Sequence, residues 1–393
     1  MTLRDRWLLP EGVDEVLPPR AAALEQLCRE VIDLYATWGY ELVIPPLIEF
    51  LDSLLTGTGS DLDIQTFKLT DQLTGRLMGL RADTTPQVAR IDAHKLKREI
   101  PTRLCYLGTV VHTRPMGTGD SRCPLQVGAE LYGHSGVESD AEVLCLMLET
   151  LKLVGQQQVY VDLGHMGIVR AIVAAAGLDD DQTAVLFDVL QRKAAAELDE
   201  LIASWQIDGD QAIAMRALIE MNGDAEVLQQ ARQAMAAGGA AVTAAIDELE
   251  RLIEIVGSRY PDVNFYVDPA ELRGYHYHTG LMFAAYLQGE GVGVAYGGRY
   301  DDIGKAFGRA RPATGFSVDL KRLLALHDTA VRLSPGIAAP WSTDAALQAL
   351  VADLRAQGER VVVQLPGTEA TLAELGCDRC IVERDGQWQI VSA

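Results

Sequence analysis

Positive charge is scarce in this sequence. Lysine and arginine number 34 against 55 aspartates and glutamates, a formal net charge of −21 over 393 residues. A chain whose main task is to grip a polyanion needs a basic surface, so nucleic-acid binding is disfavoured, although a local basic patch can sit on an acidic protein. Long apolar runs are also missing. No stretch approaches the roughly 20 apolar residues of a membrane span. The opening Met1-Thr-Leu-Arg-Asp-Arg-Trp7 has no apolar core after its charges, so no secretory signal is expected there and a cytoplasmic protein is predicted. Cysteines are few and scattered: Cys28, Cys105, Cys123, Cys145, Cys377 and Cys380 form no disulfide framework. The lone Cys377-Asp-Arg-Cys380 has no second ligand pair at zinc-site spacing, so ordinary reduced thiols are expected.

What is present is a soluble mix, 48% apolar and 23% charged, long enough for two or three domains. The stretch from Arg103 to Gly133 organises it. β-Branched and aromatic residues between turn signals predict two strands, with Met116–Asp120 as a glycine-containing loop between them. On the second strand a period of two puts Gln126 and Glu130 on one face, with only Gly128 between them. Such a face can hold a small polar ligand, the glycine allowing close approach and the carboxylate binding a cation; it also suits a solvated sheet face.

Residues 20–38 have helical spacing, with Leu24, Leu27, Val31, Leu34 and Tyr35 on one side and Gly39 as the stop. Tyr40–Pro46 is expected as a strand that its two prolines end. Phe67–Asp71 and Gly75–Arg81 predict a hairpin, followed by a helix from Pro86 to His94. Asp83 or Thr84 can cap that helix, and Asp83 with Thr85 can equally face a ligand. Residues 136–154 predict an amphipathic helix and 160–164 a short strand. From Ile168 to about Ile255 the periodicity is helical, with breaks at Gly177, Gly209, Gly223 and Gly238-Gly239. Strands resume at Val263–Val267, Phe283–Leu287, Val292–Tyr296 and Thr314–Asp319. Between the first two lies Leu272-Arg-Gly-Tyr-His-Tyr-His-Thr-Gly280, where His276 and His278 share a face if the backbone is extended, with no third metal ligand evident. Gly297-Gly298 lacks the Lys-Ser/Thr that a phosphate loop needs. Ser334–Pro340 is read as a linker. A small α/β tail follows: helix 343–355, strand 360–364, helix Glu369–Leu375, and strands 380–383 and 387–391.

Six segments together resemble the class II aminoacyl-tRNA synthetase fold, in its histidyl-tRNA synthetase branch. They are Gly39–Pro46 (first motif, a dimer interface), Leu80–Thr85 (substrate-histidine segment), Leu125–Glu130 (second half of motif two), Leu272–His278 and Tyr296–Asp301 (the two histidine-specific boxes), and Thr314–Arg322 (motif three). The resemblance implies an α+β fold: an antiparallel sheet flanked by helices, with a helical insertion and a small α/β C-terminal domain. The divisions expected are 1–165 and 259–330 for the core, 166–258 for the insertion and 341–393 for the tail.

Departures from the synthetase pattern bear on function. Where its motif two reads Phe-Arg-x-Glu, this sequence has Val110-Val-His-Thr113, so Val111 replaces the arginine that holds the ATP α-phosphate. Losing one such donor typically costs ~10²–10³-fold in rate. Lys321 replaces the acid beside the motif-three Arg322, the motif-two loop is nearly uncharged, and the tail does not resemble an anticodon-binding domain. The amino-acid side keeps its chemistry in Asp83, Thr84, Thr85, Gln126, Glu130, Arg273, Tyr277 and Tyr300, with His278 replacing a tyrosine. This combination resembles the regulatory subunit family of ATP phosphoribosyltransferase, a synthetase paralogue. What that implies is a non-catalytic subunit without cofactor or metal, partnered with the short-form catalytic chain and mediating feedback inhibition of histidine biosynthesis by L-histidine. It implies self-dimerisation through the motif-one region and no tRNA binding. On the same basis Glu130 and Gln126 would hold the α-ammonium, Arg273 the carboxylate, and Asp83, Tyr277 and His278 the imidazole. The competing reading is a working histidyl-tRNA synthetase or related adenylate-forming ligase, sustained by Arg322 and Arg273. A non-catalytic tRNA-binding module is disfavoured by the −21 charge.

Overall fold

A computed structural model describes residues 7–57, 60–115, 117, 120–156, 158–272, 277–326 and 335–392. Arg273, Tyr275 and His276, and three residues of the motif-two loop, lie outside them. The chain divides into two compact units, residues 1–15 with 24–328 and residues 16–23 with 329–393.

α1 (Arg20–Thr37), which enters the larger unit at Leu24, buries Leu24, Leu27, Val31 and Tyr35 of the predicted stripe, leaves Leu34 half-buried, and ends before Gly39 at φ +81°. The expected Tyr40–Pro46 strand is cut to β1 (Glu41–Leu42), because Pro45 and Pro46 cannot continue a ladder. Next come β2 (Ile48–Phe50), α2 (Leu51–Leu54), α3 (Ser60–Gln65), β3 (Lys68–Thr70) and β4 (Leu77–Leu80). β3 and β4 form the predicted hairpin, and β2 pairs with β4 on its other side. Pro86 stands in the first turn of α4 (Thr85–Ile91), which passes into a π-helical turn, Asp92–Leu96. The long hairpin is β5 (Thr102–Thr109) and β6 (Leu125–Tyr132). α5 (Val137–Leu153) and β7 (Val159–His165) follow.

Residues 166–259 hold α6 (Met166–Ala176), α7 (Asp180–Gln191), α8 (Ala195–Ser204), α9 (Gly209–Glu220), α10 (Val227–Ala234) and α11 (Gly239–Arg259). The glycine breaks fall where expected; Gly177 is the left-handed cap that ends α6. The break between α7 and α8 has no glycine and uses Lys193 at φ +51°. The chain returns through β8 (Asn264–Val267), β9 (Leu281–Leu287), β10 (Ala295–Arg299), α12 (Ile303–Ala306), β11 (Ala313–Asp319) and α13 (Leu320–Leu326).

Among the described residues, eight strands form one sheet in the order β1-β5-β6-β11-β10-β9-β7-β8. The six central strands are antiparallel throughout; only β1 on β5 and β8 on β7, at the two edges, run parallel. The sheet thus brings β6 beside β11, with β10 next to β11, although about 160 to 190 residues of chain separate β6 from the other two. No helix among the described residues is long and apolar enough to cross a membrane.

The smaller unit corrects two expectations. Gly336–Pro340 is no linker but β12, an inner strand flanked by β13 (Val361–Gln364) and β14 (Cys377–Arg384), with β15 (Gln387–Ser392) outermost. Its short Ile337-Ala-Ala run reads as linker composition, yet Ile337 and Ala339 bury against Leu347, Val351 and Leu354 of α14 (Ala345–Ala356). Glu369–Leu375 forms turns in place of a helix: Thr371 and Glu374 exchange the reciprocal bonds of a capping box, but the chain turns off at Gly376, φ +62°, before a regular helix can follow.

Candidate ligand site on the central sheet

The register decides which side chains meet. Glu130 on β6 lies directly opposite Leu104 on β5 and Gly315 on β11; Gln126 lies opposite Gly108 and Asp319. Gln126 and Glu130 therefore share a face, as their spacing predicted. The space over Gly128, expected to admit a ligand, is filled instead by a neighbour: a Cβ there would sit 2.4 Å from the Tyr106 hydroxyl. Gly315 does the same for Glu130. A Cβ at 315 would stand 1.6 Å from Glu130 Oε2, so the carboxylate can lie across the sheet only because that residue is glycine.

Glu130 is 1% exposed and takes hydroxyl donors from three elements. Thr85 Oγ1 donates to Oε1 at 3.0 Å, Tyr106 donates to the same oxygen at 3.2 Å, and Tyr300 donates to Oε2. Burial pushes its pKa up to about 8; the hydroxyl bonds pull it down and the nearby Asp83 carboxylate adds to the rise. Nearer the surface is a second acidic group. Asp83 Oδ1 accepts from Gln126 Nε2 at 2.8 Å and from the Thr85 backbone at 3.2 Å, while Gln126 Oε1 accepts from the Thr84 backbone N–H at 3.0 Å. The first turn of α4 is thus fixed by Gln126, and Asp83 serves both as the turn's acceptor and as a site carboxylate.

An aromatic wall closes one side. Tyr277 stacks on Tyr300 with ring centres 4.8 Å apart and 21° between planes, and the His278 ring meets Tyr277 edge-on. The buried Tyr277 hydroxyl has no hydrogen-bond partner among the described residues. An unpaired buried hydroxyl costs about 1–3 kcal/mol, which a bound polar group would relieve. His278 Nδ1 donates to the Arg299 carbonyl at 3.4 Å, and burial lowers its pKa to about 4, so the ring is neutral at physiological pH.

The structure therefore brings together Asp83, Thr84, Thr85, Gln126, Glu130, Tyr277, His278 and Tyr300; Arg273 falls outside the described residues. Sequence reasoning missed Tyr106. Counting outward from the loop in the antiparallel hairpin would have placed it opposite Gly128, the residue that makes room for it.

At and around the positions that the resemblance assigns to nucleotide binding, the side chains bond to the protein itself. Arg322 donates to the carbonyls of Gly293 at 2.8 Å and Val292 at 2.9 Å and stands 3.4 Å from Glu290. Lys321 pairs with Asp14, and Arg81 spans the carbonyls of Pro45 and Thr109. Thr113 donates to the Ile64 carbonyl. Developing charge on a phosphoryl group requires donors already aimed at it, and these are committed to the protein's own backbone and carboxylates.

Comparison with known proteins agrees with this division. A family profile described as histidyl-tRNA synthetase matches residues 12–323, and one described as the ATP phosphoribosyltransferase subunit HisZ C-terminal domain matches residues 334–391. The ATP phosphoribosyltransferase regulatory subunit of Thioalkalivibrio sulfidiphilus is 56% identical over 99% of both chains, and that of Pseudomonas entomophila 53% identical over 100% of this chain and 99% of its own. A solved ATP phosphoribosyltransferase regulatory subunit/histidyl-tRNA synthetase from Bacillus halodurans superposes with a TM-score of 0.82 at 27% identity, covering 93% of this chain and 95% of its own. Histidyl-tRNA synthetase from Nostoc shares the fold, with a TM-score of 0.77 at 18% identity over 98% and 97% of the two chains. With a synthetase-type core whose phosphate-side cations are internally paired, and a C-terminal unit matched by its own profile, the chain belongs to the family of ATP phosphoribosyltransferase regulatory subunits.

Proposed function

We propose that the protein is the histidine receptor of a cytoplasmic ATP phosphoribosyltransferase, binding L-histidine on the central sheet and conveying feedback inhibition to a short-form catalytic chain. The observation that carries this reading is the pairing of a buried, hydroxyl-ringed Glu130 with a buried Tyr277 hydroxyl that has no partner among the described residues. Together they present one acceptor and one donor in an aromatic pocket, the complement of a neutral imidazole with one N–H and one bare nitrogen.

Depth divides the ligand between the two acids. Glu130 is almost fully buried and is walled by Tyr106 and Tyr300; Asp83 and Gln126 are only half-buried. We therefore assign the imidazole to Glu130 and Tyr277 and the α-ammonium to Asp83, Gln126 and Thr85, in place of the division that the family resemblance suggests. Arg273 remains the candidate for the carboxylate. The neutral His278 shapes the ring pocket without adding a like charge.

Inhibition follows if histidine binds one arrangement of the hetero-oligomer more tightly than another; a differential of about 1–3 kcal/mol is the usual size of such coupling. The motif-one segment supplies a surface for self-association: Ile44 is 80% exposed, and Leu42, Leu47 and Ile48 are each more than 40% exposed beside the short edge strand β1. Calorimetric titration of the purified subunit, alone and with its catalytic partner, tests the reading. Saturable histidine binding is expected, and no heat in either case would overturn it.

A further inference from the structure

The segment that carries Tyr277 and His278 is held from two directions. On one side is the end of β10: the Thr279 backbone N–H donates to the Arg299 carbonyl at 2.8 Å, and Asp301 N donates to Thr279 Oγ1 at 3.0 Å. Arg299 is itself immobilised by a buried ion pair with Asp140 at 2.6 Å, so this side is rigid. On the other side is α6, the first helix of the 166–259 segment. Met166 N donates to the Gly280 carbonyl at 2.9 Å, and Arg170 Nη2 donates to the His278 carbonyl at 2.9 Å. Arg170 is surface-exposed, and no ligand-facing role follows from its position.

The start of α6 is set in turn by His165. Its Nδ1 accepts from Gly167 N at 3.0 Å, and its Nε2 lies 3.1 Å from Glu248 of α11. A continuous chain of contacts thus runs from α11 through α6 to the carbonyl of the residue whose ring abuts Tyr277. The last link is a side chain reaching from the insertion onto the ligand-bearing backbone.

We propose that Arg170 is a positioning residue: from outside the pocket it fixes the backbone at His278, and through it the Tyr277 and His278 rings that line the histidine site. This rests on the reading of that site as a histidine receptor. One hydrogen bond from a charged, partly solvated donor predicts a modest effect. Substitution Arg170→Ala should weaken histidine binding about three- to tenfold and leave the melting temperature within a degree or two.

The test is a double-mutant cycle by calorimetry on the full chain, with Arg170→Ala, Tyr277→Phe and the pair. Because Arg170 acts through the Tyr277 side of the pocket, its loss should cost less when the Tyr277 hydroxyl is already gone. Arg170→Lys should recover part of the affinity. The control Arg216→Ala removes an exposed ion pair between α8 and α9 and should change nothing. Equal affinity in Arg170→Ala and wild type, or strict additivity in the cycle, would overturn the proposal. A second readout needs no ligand: in protein labelled at histidine, the His278 ring resonance of the unliganded chain should move in Arg170→Ala and stay fixed in Arg216→Ala. If wild type fails to bind histidine, the receptor reading falls, and this resonance still decides the positioning role: an unmoved signal refutes it.

Discussion

Replacing Glu130 by glutamine should make the unliganded protein more stable while abolishing histidine binding, and the gain should depend on pH in a defined way. Burial raises the Glu130 carboxyl from 4.5 to about 8 in the folded state. Below pH 4.5 the carboxyl is protonated in both folded and unfolded chains, so it contributes no difference. Between 4.5 and 8 the unfolded chain is ionised there and the folded chain is not, so folding takes up a proton and stability falls as pH rises. At 1.36 kcal/mol per tenfold change, the full penalty is about 5 kcal/mol, reached near pH 8 and constant above it. Glutamine carries no such penalty, but its amide must find an acceptor where three hydroxyls now donate, which removes an estimated ~2–3 kcal/mol of the gain. Glu130→Gln should therefore match or fall below wild type at pH 5 and exceed it by about 2 kcal/mol at pH 8.5, a rise of roughly 3 °C for a unit of about 300 residues. Thermal denaturation across that pH range reads the effect. Added histidine should raise the wild-type melting temperature by mass action and leave the variant unmoved. A variant destabilised equally at both pH values would refute the reasoning, because Glu130 would then be stabilised by its hydroxyl partners more than it is penalised by burial.

Other substitutions probe the remaining parts of the site. Gly315→Ala places a methyl against the Glu130 carboxylate; the overpacking should cost about 1–3 kcal/mol of stability, and histidine affinity should collapse on calorimetric titration. Tyr277→Phe removes a buried hydroxyl that has no partner among the described residues, so the melting temperature should hold or rise slightly while affinity drops by about tenfold. Val111→Arg restores a guanidinium at the motif-two position, yet histidine-dependent pyrophosphate exchange should stay at background because Arg322 is tied to Gly293 and Val292; measurable exchange would favour the ligase reading. Ile44→Asp introduces a charge into the exposed motif-one surface and should weaken the proposed self-association, read as a lower sedimentation coefficient than wild type, whereas an unchanged coefficient would refute an interface there.

Much of the site was legible because its residues follow local rules. Gln126 and Glu130 obey the period of a strand, and Asp83-Thr-Thr-Pro86 carries its own helix-start chemistry. What sequence could not supply was depth. Asp83 and Glu130 are both acids on or beside a sheet, and only the packing of Tyr106 and Tyr300 makes one a buried carboxyl and leaves the other half-buried. Tyr106 is not legible in the sequence because a glycine between two polar strand residues suits close approach of a ligand as well as it suits a neighbouring strand's ring, and here Gly128 makes room for the ring. β12 was missed for a related reason: Gly336-Ile-Ala-Ala-Pro340 has almost no bulk, and small residues are what an inner strand carries when a helix lies close over it. The inward turn of Arg322 was invisible as well, since its acceptors are backbone carbonyls thirty residues away that any sequence would possess.

The site is built at a cost, and that cost is what a regulator needs. An enzyme gains rate only from interactions that strengthen in the transition state; a receptor gains nothing from them and needs ground-state binding that differs between two conformations. Here the unliganded site holds a carboxyl that burial drives toward protonation and a tyrosine hydroxyl with no described partner. On the proposed reading, an imidazole that donates to one and accepts from the other would relieve both. The relief is available only in conformations where Tyr277 stays stacked on Tyr300 and Glu130 stays seated on Gly315, because both groups must meet the same ring. Any arrangement of the assembly that separates β10 from the Tyr277 segment forfeits it. A loss of about 1.4–2.7 kcal/mol would bias the assembly by ten- to a hundredfold, well within what one unpaired hydroxyl and one buried carboxyl supply.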